Sequence, residues 1–355
     1  MSGAKAKNFN LPWHQHDHYW ISLYAKGGDF SAPLLDTLQK SGLEKLPDGG
    51  MSIQTGRDWK TMWDQVFPVL EHRGALDQVE ASVTHGPPPS RSKNTLDCKP
   101  PLLIQLIAGS LWVGEALLED RLMCYLQPVV GAKDKVFGYE AFARVKSTDG
   151  DIIGGEQIIA ASRALGIEFV IDRHLHVEAI KTFASSQFNG FLFVNFFPGF
   201  IHRPAVYLEG LSETAKSFGL IAKHIVLDFT KSETTRDVTH MKNVADYGRS
   251  RGYSIALDDI ISVENARRLV AEIRPDFVKI DTQLVRRVTE PPKRETIREI
   301  VELVHTAGGT VIAEGVETAE IHQALKLLGV DLFQGFLFSP PVPVEAALKR
   351  STGTV

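Results

Sequence analysis

From about residue 121 onward the chain alternates short apolar runs with amphipathic stretches of helix length, and this regularity restricts the fold more than any other feature. The apolar runs are Met123–Val130, Val136–Ala143, Phe191–Phe196, His224–Phe229, Tyr253–Asp258, Asp276–Asp281, Thr310–Glu314 and Asp331–Gln334. Helices are predicted over Glu156–Leu165, Phe169–Ala184, Ala205–Phe218, Asp237–Arg251, Val263–Ile273, Lys293–Ala307 and Ala319–Leu328. Near-continuous apolar strands wrapped by helices predict an α/β fold with a parallel sheet closed as a (β/α)8, TIM-like barrel. Only Gly131-Ala-Lys-Asp-Lys135 separates the first two strands. So short a link suits a hairpin and not a right-handed crossover, so the barrel is expected in modified form, with one antiparallel strand.

Barrels of this kind carry their working residues at the carboxyl ends of the strands. Here those ends supply Glu140, Asn195, Asp228, Asp258 with Asp259, Lys279 with Asp281, Glu314 and Gln334. A single carboxylate in such a place is more often a helix cap, but polar residues from seven of eight strands converging on one end are another matter. The run Tyr253-Ser-Ile-Ala-Leu-Asp-Asp259 is the clearest, because two adjacent like charges call for a cation. Hard oxygen donors without histidine or thiolate specify Mg²⁺ or Mn²⁺ over zinc, and such ions act on phosphate oxygens. Lys279 is placed to hold a water or neutralise an oxygen, and Arg144 to contact a phosphate.

The remainder of the chain is less regular. Residues 1–85 read as a small α/β domain, with an aromatic strand His18–Tyr24 and helices at Ala32–Lys40 and Trp59–His72. His14, His16 and His18 alternate as metal ligands on a strand would, but exposed polar side chains near a terminus are the preferred reading. Gly27-Gly-Asp-Phe30 is read as a turn. Gly86-Pro-Pro-Pro-Ser-Arg-Ser-Lys-Asn reads as a linker, and Pro101 opens a connecting helix toward Asp120, so 86–120 separates the first domain from a barrel over 121–350. With 43% apolar residues, 23% charged residues and a net charge of −4, nothing favours a nucleic-acid polymer as partner. Two cysteines and a start lacking an apolar signal core make the cytoplasm the expected compartment. No uninterrupted apolar run reaches the ~20 residues of a membrane span.

Several stretches carry a specific likeness: Tyr125-Leu-Gln-Pro-Val, Gly138-Tyr-Glu-Ala-Phe-Ala-Arg144, Phe193-Val-Asn195, Ala256-Leu-Asp-Asp259, Val278-Lys-Ile-Asp281, Ile312-Ala-Glu-Gly-Val-Glu-Thr318 and Gln334-Gly-Phe-Leu-Phe-Ser-Pro-Pro341. In this order they make residues 121 to about 345 resemble the EAL domain family of bacterial cyclic-di-GMP phosphodiesterases. The resemblance implies a modified (β/α)8 barrel with an antiparallel strand and a metal-dependent hydrolysis of cyclic-di-GMP to linear pGpG. It implies that Glu140, Asn195, Asp228 and Asp258 hold one metal and that Asp259 and Glu314 support a second. Lys279, oriented by Asp281, would hold the attacking water; Glu317, Gln334 and Gln127 would complete the pocket, and Arg144 would grip a phosphate. A homodimer through the barrel is implied as well. Three departures stand out: Asp228 replaces a family glutamate, Lys231 replaces another, and Ile260-Ile-Ser-Val-Glu-Asn-Ala266 replaces a glycine-rich loop. Two readings follow, a slow or regulated phosphodiesterase and an inactive cyclic-di-GMP receptor that acts through a protein partner.

Overall fold

The computed structural model describes residues 17–85, 98–131, 133–201, 203–230 and 238–351. His14, His16, the proline-rich segment 86–97 and Lys231 lie outside these, while His18 is exposed. The chain divides into two compact units, one of 1–121 with 156–167 and one of 122–155 with 168–355.

The first unit follows a β-α-β-β-α-β order. Strands β1 (Tyr19–Ala25), β2 (Glu44–Lys45), β3 (Met51–Thr55) and β4 (Val79–Thr84) form an antiparallel sheet in the order β2-β3-β1-β4. That order is the split β-α-β arrangement. Its register places Ile21 beside Ile53 and Val83, and Leu23 beside Met51 and Ala81, so one face is continuously apolar. Leu34, Leu38, Trp63, Val66 and Leu70 of the helices Ala32–Lys40 and Trp59–His72 are buried. Asp58 starts the second helix by accepting from the Thr61 amide at 3.2 Å.

The connecting helix expected after Pro101 is two helices, Pro101–Ala108 and Leu111–Leu118, both in the first unit. Gly109 lacks a side chain to favour helix and the Ser110 hydroxyl donates back to the Leu106 carbonyl at 2.7 Å, which together explain the break. The 18-residue stretch is long and apolar enough by composition to cross a membrane, but 56% of it is buried within the protein. The helix Gly155–Leu165 also groups with the first unit, burying Ile158, Ala161 and Leu165. Periodicity identifies the buried face of a helix, not the unit that buries it.

The second unit is the barrel. Its strands are β5 (Leu122–Gly131), β6 (Val136–Lys146), β7 (Ile152–Gly154), β8 (Phe191–Phe196), β9 (Ile225–Phe229), β10 (Ser254–Ile260), β11 (Phe277–Ile280), β12 (Thr310–Ala313) and β13 (Leu332–Phe333). The sheet runs β5-β13-β12-β11-β10-β9-β8-β6-β7 and closes through β5 pairing with β6, so eight strands form the ring and β7 extends β6 outside it. Strand β5 is antiparallel to both its neighbours, β6 and β13, while β6 and β8 to β13 run parallel, as the short hairpin requires. Three-residue β7 was not expected, being too short to show a period.

Candidate active site

A layered interior follows from the two-residue period of a strand. Val129, Phe193, Val226, Ala256, Phe277, Ile312 and Leu332 form one buried apolar cluster inside the barrel. On β8 to β13, the residue two positions further along from each is polar: Asn195, Asp228, Asp258, Lys279, Glu314 and Gln334. Glu140 comes from β6. On the inverted β5 the order reverses, and Gln127 precedes Val129. All eight ring strands therefore supply one polar residue above an apolar floor.

Lys279 is the centre of this layer. Its side chain is wholly buried, and its Nζ lies 2.6 Å from Glu314, 2.8 Å from Asp228, 2.9 Å from Glu140 and 3.7 Å from Asp258. Gln334 donates to Glu140 at 2.8 Å and to Gln127 at 3.0 Å, Gln127 donates to the Ser339 carbonyl at 2.9 Å, and Asn195 donates to Glu140 at 3.0 Å. Glu140 is thus held by three donors.

One ammonium facing four carboxylates, two of them enclosed and two partly open to solvent, leaves more acidic than basic groups in a largely buried setting. Burial pulls the Lys279 pKa down, but Asp228, Asp258, Glu140 and Glu314 together outweigh it and hold the group well above its ordinary value. Burial pushes Asp228 well above the usual carboxylate range despite Lys279. Glu314 is raised by burial and then by Asp258, with Lys279 opposing.

The layer fits a cation. Asp228 Oδ1 is buried without a hydrogen-bond partner, and single carboxylate oxygens of Asp258, Asp259 and Glu314 lie within 4.8 Å of one another. These are hard oxygen donors. Adjacent strand residues normally face opposite sides, so the convergence of Asp258 and Asp259 needs a device. It is a bulge: the β10–β11 register shifts between Leu257 and Ile260, and Asp259 adopts a left-handed φ of 58°. Backbone strain of this kind concentrates at functional sites.

The EAL domain model matches residues 112–341 of this sequence. The chain belongs to the EAL domain family. Among the proteins it resembles, signaling protein YkoW of Bacillus subtilis (strain 168) is 27% identical over 237 residues, which cover 65% of this chain and 29% of YkoW. Cyclic di-GMP phosphodiesterase PdeL of Escherichia coli (strain K12) is 26% identical over 236 residues, 64% of each chain. The chain therefore spans less than two thirds of either relative. In fold it resembles the FimX EAL domain of Xanthomonas citri, solved in complex with c-diGMP, at a TM-score of 0.61 and 22% identity, covering 68% of this chain and 95% of that one.

Not every residue expected in the EAL site joins the layer. Asp281 caps the helix Thr282–Val285, accepting from the Gln283 amide at 2.7 Å. Lys279 is held instead by contacts to the four carboxylates. Glu317 pairs with Arg286 near the surface. Arg144 donates to its neighbour's Ala143 carbonyl at 2.7 Å, and its guanidinium lies 5.4 Å from the Tyr125 ring centre. Burial lowers its pKa. The segment expected as an altered loop is mostly regular: Ile260 ends β10, Ser262 caps a helix by accepting from the Asn265 amide, and only Ile261 and Ser262 connect the two elements.

Gly335, beside Gln334, is fixed by close approach. A Cβ there would lie 2.2 Å from the Val316 carbonyl oxygen, in the segment that joins Glu314 to Glu317. Gly335→Ala is expected to cost about 1–3 kcal/mol through this clash. A melting temperature equal to that of the unsubstituted chain would contradict it.

Proposed function

We propose that the chain is a metal-dependent phosphodiesterase that hydrolyses cyclic-di-GMP to linear pGpG in the cytoplasm, slowly or under regulation by its first unit. The polar layer around Lys279, with the Asp258–Asp259 bulge beside it, is the observation that carries this reading. The cyclic di-GMP phosphodiesterase activity for which PdeL is named and the c-diGMP in the FimX complex support the choice of substrate. Glu140, Asn195, Asp228, Asp258, Asp259 and Glu314 would hold Mg²⁺ or Mn²⁺, which supplies Lewis-acid activation of a water and charge neutralisation at the phosphate. Lys279, whose pKa the surrounding carboxylates hold above its ordinary value, offers positive charge and hydrogen bonds. Gln127 and Gln334 fix Glu140. Arg144, half-buried against aromatic rings, grips the second phosphate.

A second reading, a receptor that binds cyclic-di-GMP and signals to a protein partner without cleaving it, is favoured by two features. Asp228 already spends one oxygen on Lys279, and the connection after the Asp pair is short and capped, with Ile260 buried. In either case a homodimer through the barrel is part of the proposal, and light scattering tests it. Incubation with cyclic-di-GMP and Mg²⁺ or Mn²⁺, with pGpG followed by chromatography beside a calorimetric titration, separates the two readings. Turnover that persists in excess chelator would sink the first. Arg144→Ala is expected to weaken cyclic-di-GMP binding more than tenfold, a loss of about 1.4 kcal/mol or more. Unchanged affinity would remove Arg144 from the site.

A further inference from the structure

The helix Glu168–Ser185 buries Ile171, Asp172, His176, Ala179, Ile180 and Phe183 along one stripe. Two of these are polar, at positions where an apolar side chain would pack at no desolvation cost. Both are engaged. His176 Nε2 lies 2.8 Å from the Asn195 carbonyl oxygen, and its Nδ1 lies 2.5 Å from the Tyr207 hydroxyl. That hydroxyl donates to Asp172 at 3.2 Å. A carbonyl only accepts, so Nε2 carries a proton and donates. The ring is also stacked on Phe196, with centroids 5.6 Å apart and planes 21° apart. Its partner Asn195 is the residue whose amide donates to Glu140 in the polar layer, at 3.0 Å.

We propose that His176 is a positioning residue for the cation site: it locks the end of β8 through the Asn195 carbonyl, with Tyr207 and Asp172 fixing the ring from the far side. This inference rests on the metal-dependent reading of the same site. Asn195 is the penultimate residue of β8, still paired with Asp228 of β9 but one position past Val194, the last β8 residue paired with β6, so sheet pairing restrains its backbone on one side only. His176 supplies the missing restraint, and a donor of this kind tunes a metal site without touching the ion. The length of an Asn side chain then sets where its amide meets Glu140.

Mn²⁺ titration by calorimetry tests it, with melting curves in excess chelator reporting folding. His176→Leu is expected to weaken Mn²⁺ at least tenfold, while His176→Gln, which keeps a donor near the Nε2 position, restores affinity to within about threefold. Tyr207→Phe, which keeps Nε2 but loosens the ring, is expected to weaken Mn²⁺ a few-fold, and it carries the test if His176→Leu fails to fold. Unsubstituted affinity in both His176→Leu and Tyr207→Phe overturns the inference, as does equal weakening by Leu and Gln. No Mn²⁺ uptake by the unsubstituted chain overturns the metal reading itself and the inference with it, a result distinct from equal affinities across variants.

Discussion

Lys279→Met is expected to destabilise the metal-free chain by about 3–5 kcal/mol, because removing one partner of a buried ion cluster leaves the others uncompensated. For a domain of this size that corresponds to a fall in Tm on the order of 10 °C. Four carboxylates would then share a largely buried site without their ammonium. They can escape by taking up protons, so the loss should be smaller at low pH and larger at high pH. Saturating Mn²⁺ should recover much of it, since a divalent cation supplies the charge the lysine did. Thermal melts in chelator and in Mn²⁺ at two pH values decide the matter. A variant as stable as its parent in chelator would mean that Lys279 does not hold the carboxylates together.

The second large effect links protons to metal. Asp228 and Glu314 have pKa values raised by burial. A carboxyl raised on folding contributes stability that is whole below its ordinary value of ~4 and lost as pH rises through the raised value. The metal-free chain should therefore lose stability from about pH 4 upward. Lys279, also raised, does not alter this window, because its contribution is whole below ~10.4 and lost only above its folded value. A cation needs both carboxyls ionised, so Mn²⁺ affinity should rise with pH, by about tenfold per unit for each proton released. Calorimetry in two buffers of different ionisation heat counts those protons. Affinity independent of pH, without proton release, would show that the carboxylates are ionised before the metal arrives.

Much of the barrel was legible because its strands are apolar runs bounded by polar or turn residues, and because the short link Gly131–Lys135 between the first two runs admits only a hairpin. The polar residues of the parallel strands were legible for the same reason, each standing at the carboxyl end of its run. Gln127 was not, by that rule: on a strand running backwards its place in the layer falls before the apolar residue, and only the motif around it marked it. The bulge at Asp258–Asp259 was hidden too, since nothing in Leu-Asp-Asp-Ile announces a register shift. Asp281 caps the next helix, a use that a carboxylate just past a strand serves as readily as a place in a site, and the sequence does not tell the two apart. His176 escaped notice altogether. A lone histidine in an amphipathic helix carries no local mark of the carbonyl it will meet on another element.

The apolar floor beneath the polar layer also governs traffic. Phe137, Phe191, Phe193 and Phe277 pack ring against ring at the strand beginnings, with Phe137 and Phe191 stacked at 4.7 Å and Phe193 and Phe277 edge to face at 5.3 Å. Such packing leaves no passage along the barrel axis. Whatever reaches Lys279 must arrive and depart through the same mouth, at the carboxyl ends of the parallel strands. On the proposed function a spent ligand would block the next one until it leaves, which would make departure a point at which to throttle turnover.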